Sequence, residues 1–207
     1  MGKCSAISIT EQARAEKVLV KTELPARNRC LFVLGIETGL RISALLSIKI
    51  SDVVATDSSI RRVLVIQKRN IKGKKKQRRV ALSPTARQVI YEAINEMAST
   101  GGSARSRHLF APQHKTRPMT RRHAYALISS ALIKAGITHT TGTHTMRKTR
   151  AARVAAWALK RHTGGQTATL PVMAVKSALG HESLRTTEMY LQSGAEEVDA
   201  GTEAGEI

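Results

Sequence analysis

The stretch ALGHESLRTTEMYL, residues 178–191, constrains this chain more than any other. Leu179 and Gly180 end an apolar run as a helix ends, because glycine takes the left-handed cap conformation without a side-chain penalty. His181 follows directly. Ser183 then offers a hydroxyl to cap a second helix, and Tyr190 sits inside that helix. A histidine just past one helix and a tyrosine within the next can face a shared cleft. Most tyrosines are structural, so the arrangement gains weight only beside two earlier stretches, TGLRISALL at 38–46 and HTMRK at 144–148.

Charge narrows the class of partner. The net charge of +19 points to a polyanion, nucleic acid above all. Aromatic residues make up only 3 %, which disfavours base stacking on ring platforms and favours contact with the backbone of a duplex. Hydrophobic residues at 42 % suffice for a real core. Cys4 and Cys30 lack zinc spacing and are too few for a disulfide framework. The sequence contains no signal-peptide pattern and no apolar run of membrane-spanning length, so a cytoplasmic protein is expected.

Along the chain, residues 8–21 read as a helix capped by Thr10. Residues 27–38 read as a strongly apolar helix broken at Gly39, after which Arg41 opens a short helix with Leu45 and Leu46 buried. Residues 63–67 and 79–82 read as short strands joined by the basic run KRNIKGKKKQR, a hairpin with a cationic tip. Like charges packed so densely repel one another unless a polyanion relieves them, which favours DNA contact at Lys68, Lys74, Lys75 and Lys76. Pro84 starts a helix with Ala86, Val89, Ile90, Ala93, Ile94 and Met97 at helical spacing, Tyr91 packing beside that stripe. Thr120 caps another helix, whose first turn carries Arg121 and Arg122 against the helix dipole, a local conflict that phosphate contact would resolve. Gly136 closes it. Thr143 caps the next, placing His144 and Arg147 on one face, expected to point away from the packed Met146. Residues 161–171 read as a loop and 172–179 as the helix leading to His181. The acidic segment 193–207 reads as a mobile tail.

These residue types favour phosphodiester chemistry. A guanidinium is planar, permanently charged and able to grip two non-bridging phosphate oxygens, so Arg41 and Arg147 are candidates to clamp a scissile phosphate. The phenol of Tyr190 can attack phosphorus and hold the strand covalently. Its pKa of about 10 calls for a cationic pocket or a base. The leaving oxygen needs a proton, which a hairpin lysine can supply.

The three stretches together resemble the boxes of the tyrosine recombinases, the phage integrase family. TGLRIS resembles the box with the first catalytic arginine, Arg41. HTMR resembles the H-x-x-R box, giving His144 and Arg147. LGHESLRTTEMY resembles the box giving His181 and the nucleophile Tyr190. The basic hairpin resembles the one bearing the family's lysine, assigned to Lys72 with Lys74 and Lys68 as alternatives. The chain departs from the family pattern at Ala44, where an acid is usual, and at Lys148, where a second histidine is usual; Lys148 is instead a candidate DNA contact.

The resemblance implies a mainly α-helical domain with a small antiparallel sheet, the DNA breaking-rejoining fold. It is expected to span residues 1–192 and, in a departure from most members, to lack an N-terminal core-binding domain. It implies a site-specific recombinase acting through a 3′-phosphotyrosyl intermediate, without cofactor or required metal. Implied partners are double-stranded DNA, three further copies in a homotetramer on paired sites, a monomer off DNA, and an accessory DNA-bending or clamp protein. The expected setting is a prokaryote, phage or mobile element, with the protein on the nucleoid when bound to DNA. The alternatives are type IB topoisomerase-like relaxation and a catalytically impaired DNA-binding regulator.

Overall fold

The computed structural model describes residues 4–67, 77–99, 107–113, 115, 117–181 and 183–188. Lys68, Lys72, Lys74, Lys75, Lys76, Tyr190 and the acidic tail lie outside these residues. In chain order the elements are α1 (Ile9–Leu19), α2 (Pro25–Thr38), α3 (Ile42–Leu46), α4 (Ile50–Val53), β1 (Val63–Ile66), β2 (Arg78–Ala81), α5 (Pro84–Ser99), α6 (Arg121–Lys134), α7 (His144–Thr163) and α8 (Pro171–Leu179). Residues 184–188 are also helical. The expected mainly helical fold with a small antiparallel sheet forms. Strand β1 pairs with β2 in the register Val63↔Ala81 to Ile66↔Arg78.

Helix α2 is the central element, buried along most of its length from Arg27 to Thr38. It packs against α1, α3, α5 and α7. Pro25 opens α2, where its missing N–H leaves no bond unmade. The first free amides of α2, at Ala26 and Arg27, donate to the Glu96 carboxylate of α5 at 2.9 Å each. Helix α1 is capped by Ser8 rather than Thr10: the Glu11 amide donates to Ser8 Oγ, and the Ser8 amide donates back to the Glu11 carboxylate. Serine followed three residues later by glutamate is the pattern of a reciprocal cap, and it was present in the sequence.

Helix α5 buries its apolar stripe as its spacing predicts, but Tyr91 does not pack with it and is 55 % exposed. Thr143 stands at the start of α7 without a side-chain cap bond, and α7 runs on to Thr163, shortening the expected loop. Among the described residues no helix is long and apolar enough to cross a membrane.

The apolar interior is divided unequally. One large cluster surrounds α2, whereas α8 is held by a small separate group: Ala151, Val175 and Leu179, with Val154 and Ala155 against it. On the outer side of the same helix pair lies an exposed groove of about 670 Å³, lined by Arg150, Arg153, Trp157 and Met173 among others. The Arg161 guanidinium lies 5.2 Å from the centre of the Trp157 ring.

Candidate active site

The ends of three helices converge where the stretches TGLRIS, HTMR and LGH of the sequence fall. Helix α2 ends at Gly39 with φ of 59°, a conformation that turns the chain sharply. A side chain there would also collide, because a Cβ on Gly39 would lie 2.7 Å from Leu179 Cδ2. The turn delivers Arg41, half-buried in extended conformation, to the start of α3. Buried Leu40, Leu45 and Leu46 anchor it on both sides.

Helix α7 is fixed at its first two turns by a set of threonines. Thr140 Oγ1 lies 2.8 Å from Thr145 Oγ1, the Ser5 amide donates to Thr140 Oγ1 at 2.8 Å, and the Ile7 amide donates to Thr149 Oγ1 at 3.1 Å. The segment before α1 is therefore strapped across the helix that carries His144 and Arg147. The expectation that both residues point away from the packed face holds for His144, which is exposed, and fails for Arg147, which is 2 % exposed. The reason is that α2, α8 and residues 5–7 enclose the start of α7 on several sides. Arg147 Nη1 donates to the Gly39 carbonyl and Nη2 to the Leu179 carbonyl at 2.9 Å, so one guanidinium ties the end of α2 to the end of α8.

Helix α8 ends at Gly180 with φ of 64°, as the sequence predicts. His181 follows, 6 % exposed, its amide donating to the Lys176 carbonyl at 3.0 Å. Its Nδ1 lies 3.0 Å from Thr187 Oγ1, and that hydroxyl donates to the Ser183 carbonyl at 3.4 Å. When the hydroxyl proton goes to Ser183, Nδ1 donates to the hydroxyl and Nε2 holds the lone pair; when it goes to Nδ1, the tautomer reverses.

Electrostatics places the four residues in one field. Burial lowers the pKa of His181 to about 4, with Arg147, Arg41 and Arg78 adding to the effect. His144, whose ring keeps contact with solvent, is lowered by partial desolvation, then by Arg147, Arg41 and Lys148. Among the described residues, the neighbouring charges that act on the two rings are cationic, which is the arrangement of an anion site.

Arg78 is the residue that sequence reading missed. Strand β2 was expected to begin at Arg79, which left Arg78 in the basic run. The structure sets it opposite Ile66, on the inward face of the sheet. Its Nη1 donates to the Leu179 carbonyl at 2.8 Å and its Nη2 to the Ala178 carbonyl. Burial, then Arg147, Arg41 and Arg150, lower its pKa to about 10. Extending the alternation of β2 by one residue would have found it. Arg121 and Arg122 are exposed at the start of α6 and are not among the charges acting on either imidazole. Lys148 is half-buried and does act on His144. Ala44 is buried against the core and puts no carboxylate beside Arg41 at that position.

The profile of the phage integrase family matches residues 10–197. The chain belongs to that family. A tyrosine recombinase XerD of Oceanobacillus iheyensis is 29 % identical over 187 residues, covering 89 % of this chain and 56 % of the relative. The probable integrase/recombinase YoeC of Bacillus subtilis is 31 % identical over 123 residues, 59 % of this chain and 60 % of the relative. This phage integrase family chain thus spans about half the length of the XerD proteins it matches. Its fold is that of the site-specific recombinase XerH, seen bound to a palindromic difH substrate after cleavage. The TM-score is 0.67 at 23 % identity, covering 97 % of this chain and 53 % of the other. The XerA recombinase gives 0.66 at 19 % identity, with 92 % and 61 % covered.

The depressed imidazoles make the stability of this family member depend on pH. His181 has a folded pKa of about 4 against an ordinary 6.5, so the unfolded chain takes up its proton first. Stability is therefore full above about 6.5 and falls as pH drops toward 4. His144 has the same sign. The urea midpoint should be lower at pH 5 than at pH 7.5, and His181→Gln should flatten the difference. An equal or higher midpoint at pH 5 would contradict this environment for the imidazole.

Proposed function

We propose that this chain cleaves and rejoins duplex DNA one strand at a time, as a site-specific recombinase acting through Tyr190. The observation that carries the reading is the convergence of Arg41, Arg147, His144 and His181 in a field of like positive charge. A phosphate entering that field relieves repulsion that the folded chain otherwise bears. It gains further as negative charge builds on the non-bridging oxygens in the transition state. The Tyr190 oxygen attacks phosphorus, the bond to the 5′-oxygen breaks, and that oxygen takes a proton, assigned by resemblance to Lys72. The product is a 3′-phosphotyrosine and a free 5′-hydroxyl. Attack by a 5′-hydroxyl on the phosphotyrosine reverses the step and restores both the DNA bond and the phenol. His181, neutral at physiological pH, can accept the tyrosine proton at Nε2.

Exchange between two duplexes needs four such breaks, hence four protomers on paired sites. The exposed groove between α7 and α8, with its arginines and Trp157, offers a surface of the right character for a neighbouring copy. The acidic segment 193–207 complements its charge.

The reading is tested with a nicked suicide duplex, from which the released 5′ end diffuses away. Wild-type protein should form a denaturant-resistant adduct, and excess EDTA should leave its yield unchanged, since guanidinium groups supply the charge a metal would. Adduct that disappears with EDTA and returns with magnesium would overturn the metal-free mechanism. Binding without any adduct would instead favour a DNA-binding regulator.

A further inference from the structure

We propose that Arg78 is a positioning residue for DNA cleavage, holding the turn that carries His181 in register with Arg41 and Arg147. The proposal rests on the cleavage reading above and adds a residue that none of its three sequence boxes contains.

The register of the sheet comes first. Directly opposed residues of an antiparallel pair point to the same face, so Arg78 shares its face with Ile66, which is 3 % exposed. An arginine in a place suited to an apolar residue loses hydration, and the structure must compensate. It does so with the last carbonyls of α8. Those groups have no partner within their own helix, and the C-terminal end of a helix favours a cation. Arg78 gives one terminal nitrogen to Leu179 and the other to Ala178. Engaged in this way, the guanidinium braces main chain rather than reaching for phosphate.

The brace matters because, among the described residues, α7 is the one helix against which α8 packs extensively. Its apolar contacts belong to the small separate cluster rather than to the main core. Among the described residues, its C-terminal end is also tied by arginine-to-carbonyl bonds from two directions, Arg147 on α7 and Arg78 on β2. The chain also presses closely on the guanidinium: a Cβ on Gly180 would lie 3.2 Å from Arg78 Nη1. His181 is the next residue, so a shift of this turn is a shift of the imidazole. Because Arg78 is both the last residue of the basic run 68–78 and the first of β2, the same bonds fasten the start of that strand to the His181 turn.

Two variants test the role, Arg78→Met, which keeps the stem without a donor, and Arg78→Lys, which keeps one donor. Single-turnover cleavage of the nicked duplex at saturating protein should fall roughly a hundredfold in the Met variant, the scale of a small misplacement. The Kd for the same duplex should stay at the wild-type value, and Lys should restore part of the rate. In a His181→Ala background, Arg78→Met should cost little more, since the two act through one turn. Hydrogen exchange supplies a readout independent of cleavage: the His181 amide should lose protection by roughly tenfold in the Met variant. Wild-type cleavage rates would overturn the proposal. So would full additivity with His181→Ala, or a loss of affinity equal to the loss of rate, which would make Arg78 a phosphate contact. If Arg78→Met does not fold, the same readouts on Arg78→Lys decide. If wild-type protein forms no adduct, the cleavage reading fails by itself, and unchanged protection at His181 is then the result that sinks the brace.

Discussion

Tyr190→Phe abolishes the covalent protein–DNA adduct and leaves DNA affinity unchanged. The phenylalanine ring preserves the shape and apolar area of the side chain and removes only the oxygen that attacks phosphorus, so the effect on cleavage is total rather than graded. The chain has three tyrosines. Tyr91 and Tyr125 are about half exposed on α5 and α6, at 55 % and 50 %. Tyr125 packs its ring against Gly142, where a Cβ would lie 2.4 Å from the ring. Neither follows His181, the histidine on which Arg147, Arg41 and Arg78 act. On a denaturing gel with end-labelled nicked duplex, the shifted band should vanish in the Phe variant while a native gel still shows complex. A surviving denaturant-resistant band would move the nucleophile elsewhere in the chain.

Arg147→Lys and Arg41→Lys should each slow cleavage by about 10²–10³-fold, or ~3–4 kcal/mol, the usual cost of losing one preorganised donor to a transition state. Lysine keeps the charge but not the planar fork. The two variants should part company in stability. Arg147 is buried and bridges two carbonyls from different elements, and a bond from a charged group is worth about 1.5–3 kcal/mol. Losing one of them should lower the melting temperature of Arg147→Lys by roughly 3–12 °C. Arg41 is half-buried at the head of α3, and Arg41→Lys should melt close to wild type. Single-turnover rates and calorimetry on the same preparations separate the effects. Rates within a few-fold of wild type for either variant would place that arginine outside the site.

What the sequence disclosed and what it hid divide along a physical line. Apolar spacing located α5, and the glycines at 39 and 180 marked helix ends that do adopt left-handed backbone. Residue type and local period determine such features, and both are written in the chain. The gathering of Arg41, His144, Arg147 and His181 was legible through the resemblance of short stretches, and the shared electrostatic field agrees with it. The burial of Arg147 was not legible. Its helical face looks polar locally, and only the packing of α2 and α8 around it makes that face interior. The strap of residues 5–7 across α7 was hidden for a similar reason. Threonines at 140, 145 and 149 are unremarkable in a polar stretch until distant amides meet them. Arg78 escaped because its partners are peptide carbonyls, which every residue possesses.

The Leu179 carbonyl, shared by Arg78 and Arg147, has a consequence for how this protein tolerates genetic change. The acceptor is main chain, so no codon at position 179 can delete it; only the two donors are exposed to mutation. A saturation scan should therefore give a lopsided map. Positions 78 and 147 would be narrow, while position 179 would admit any apolar residue that fills the pocket between α7 and α8. Lineages drifting apart in sequence could replace the leucine freely and still keep the fixed point about which the histidine and the arginines are arranged.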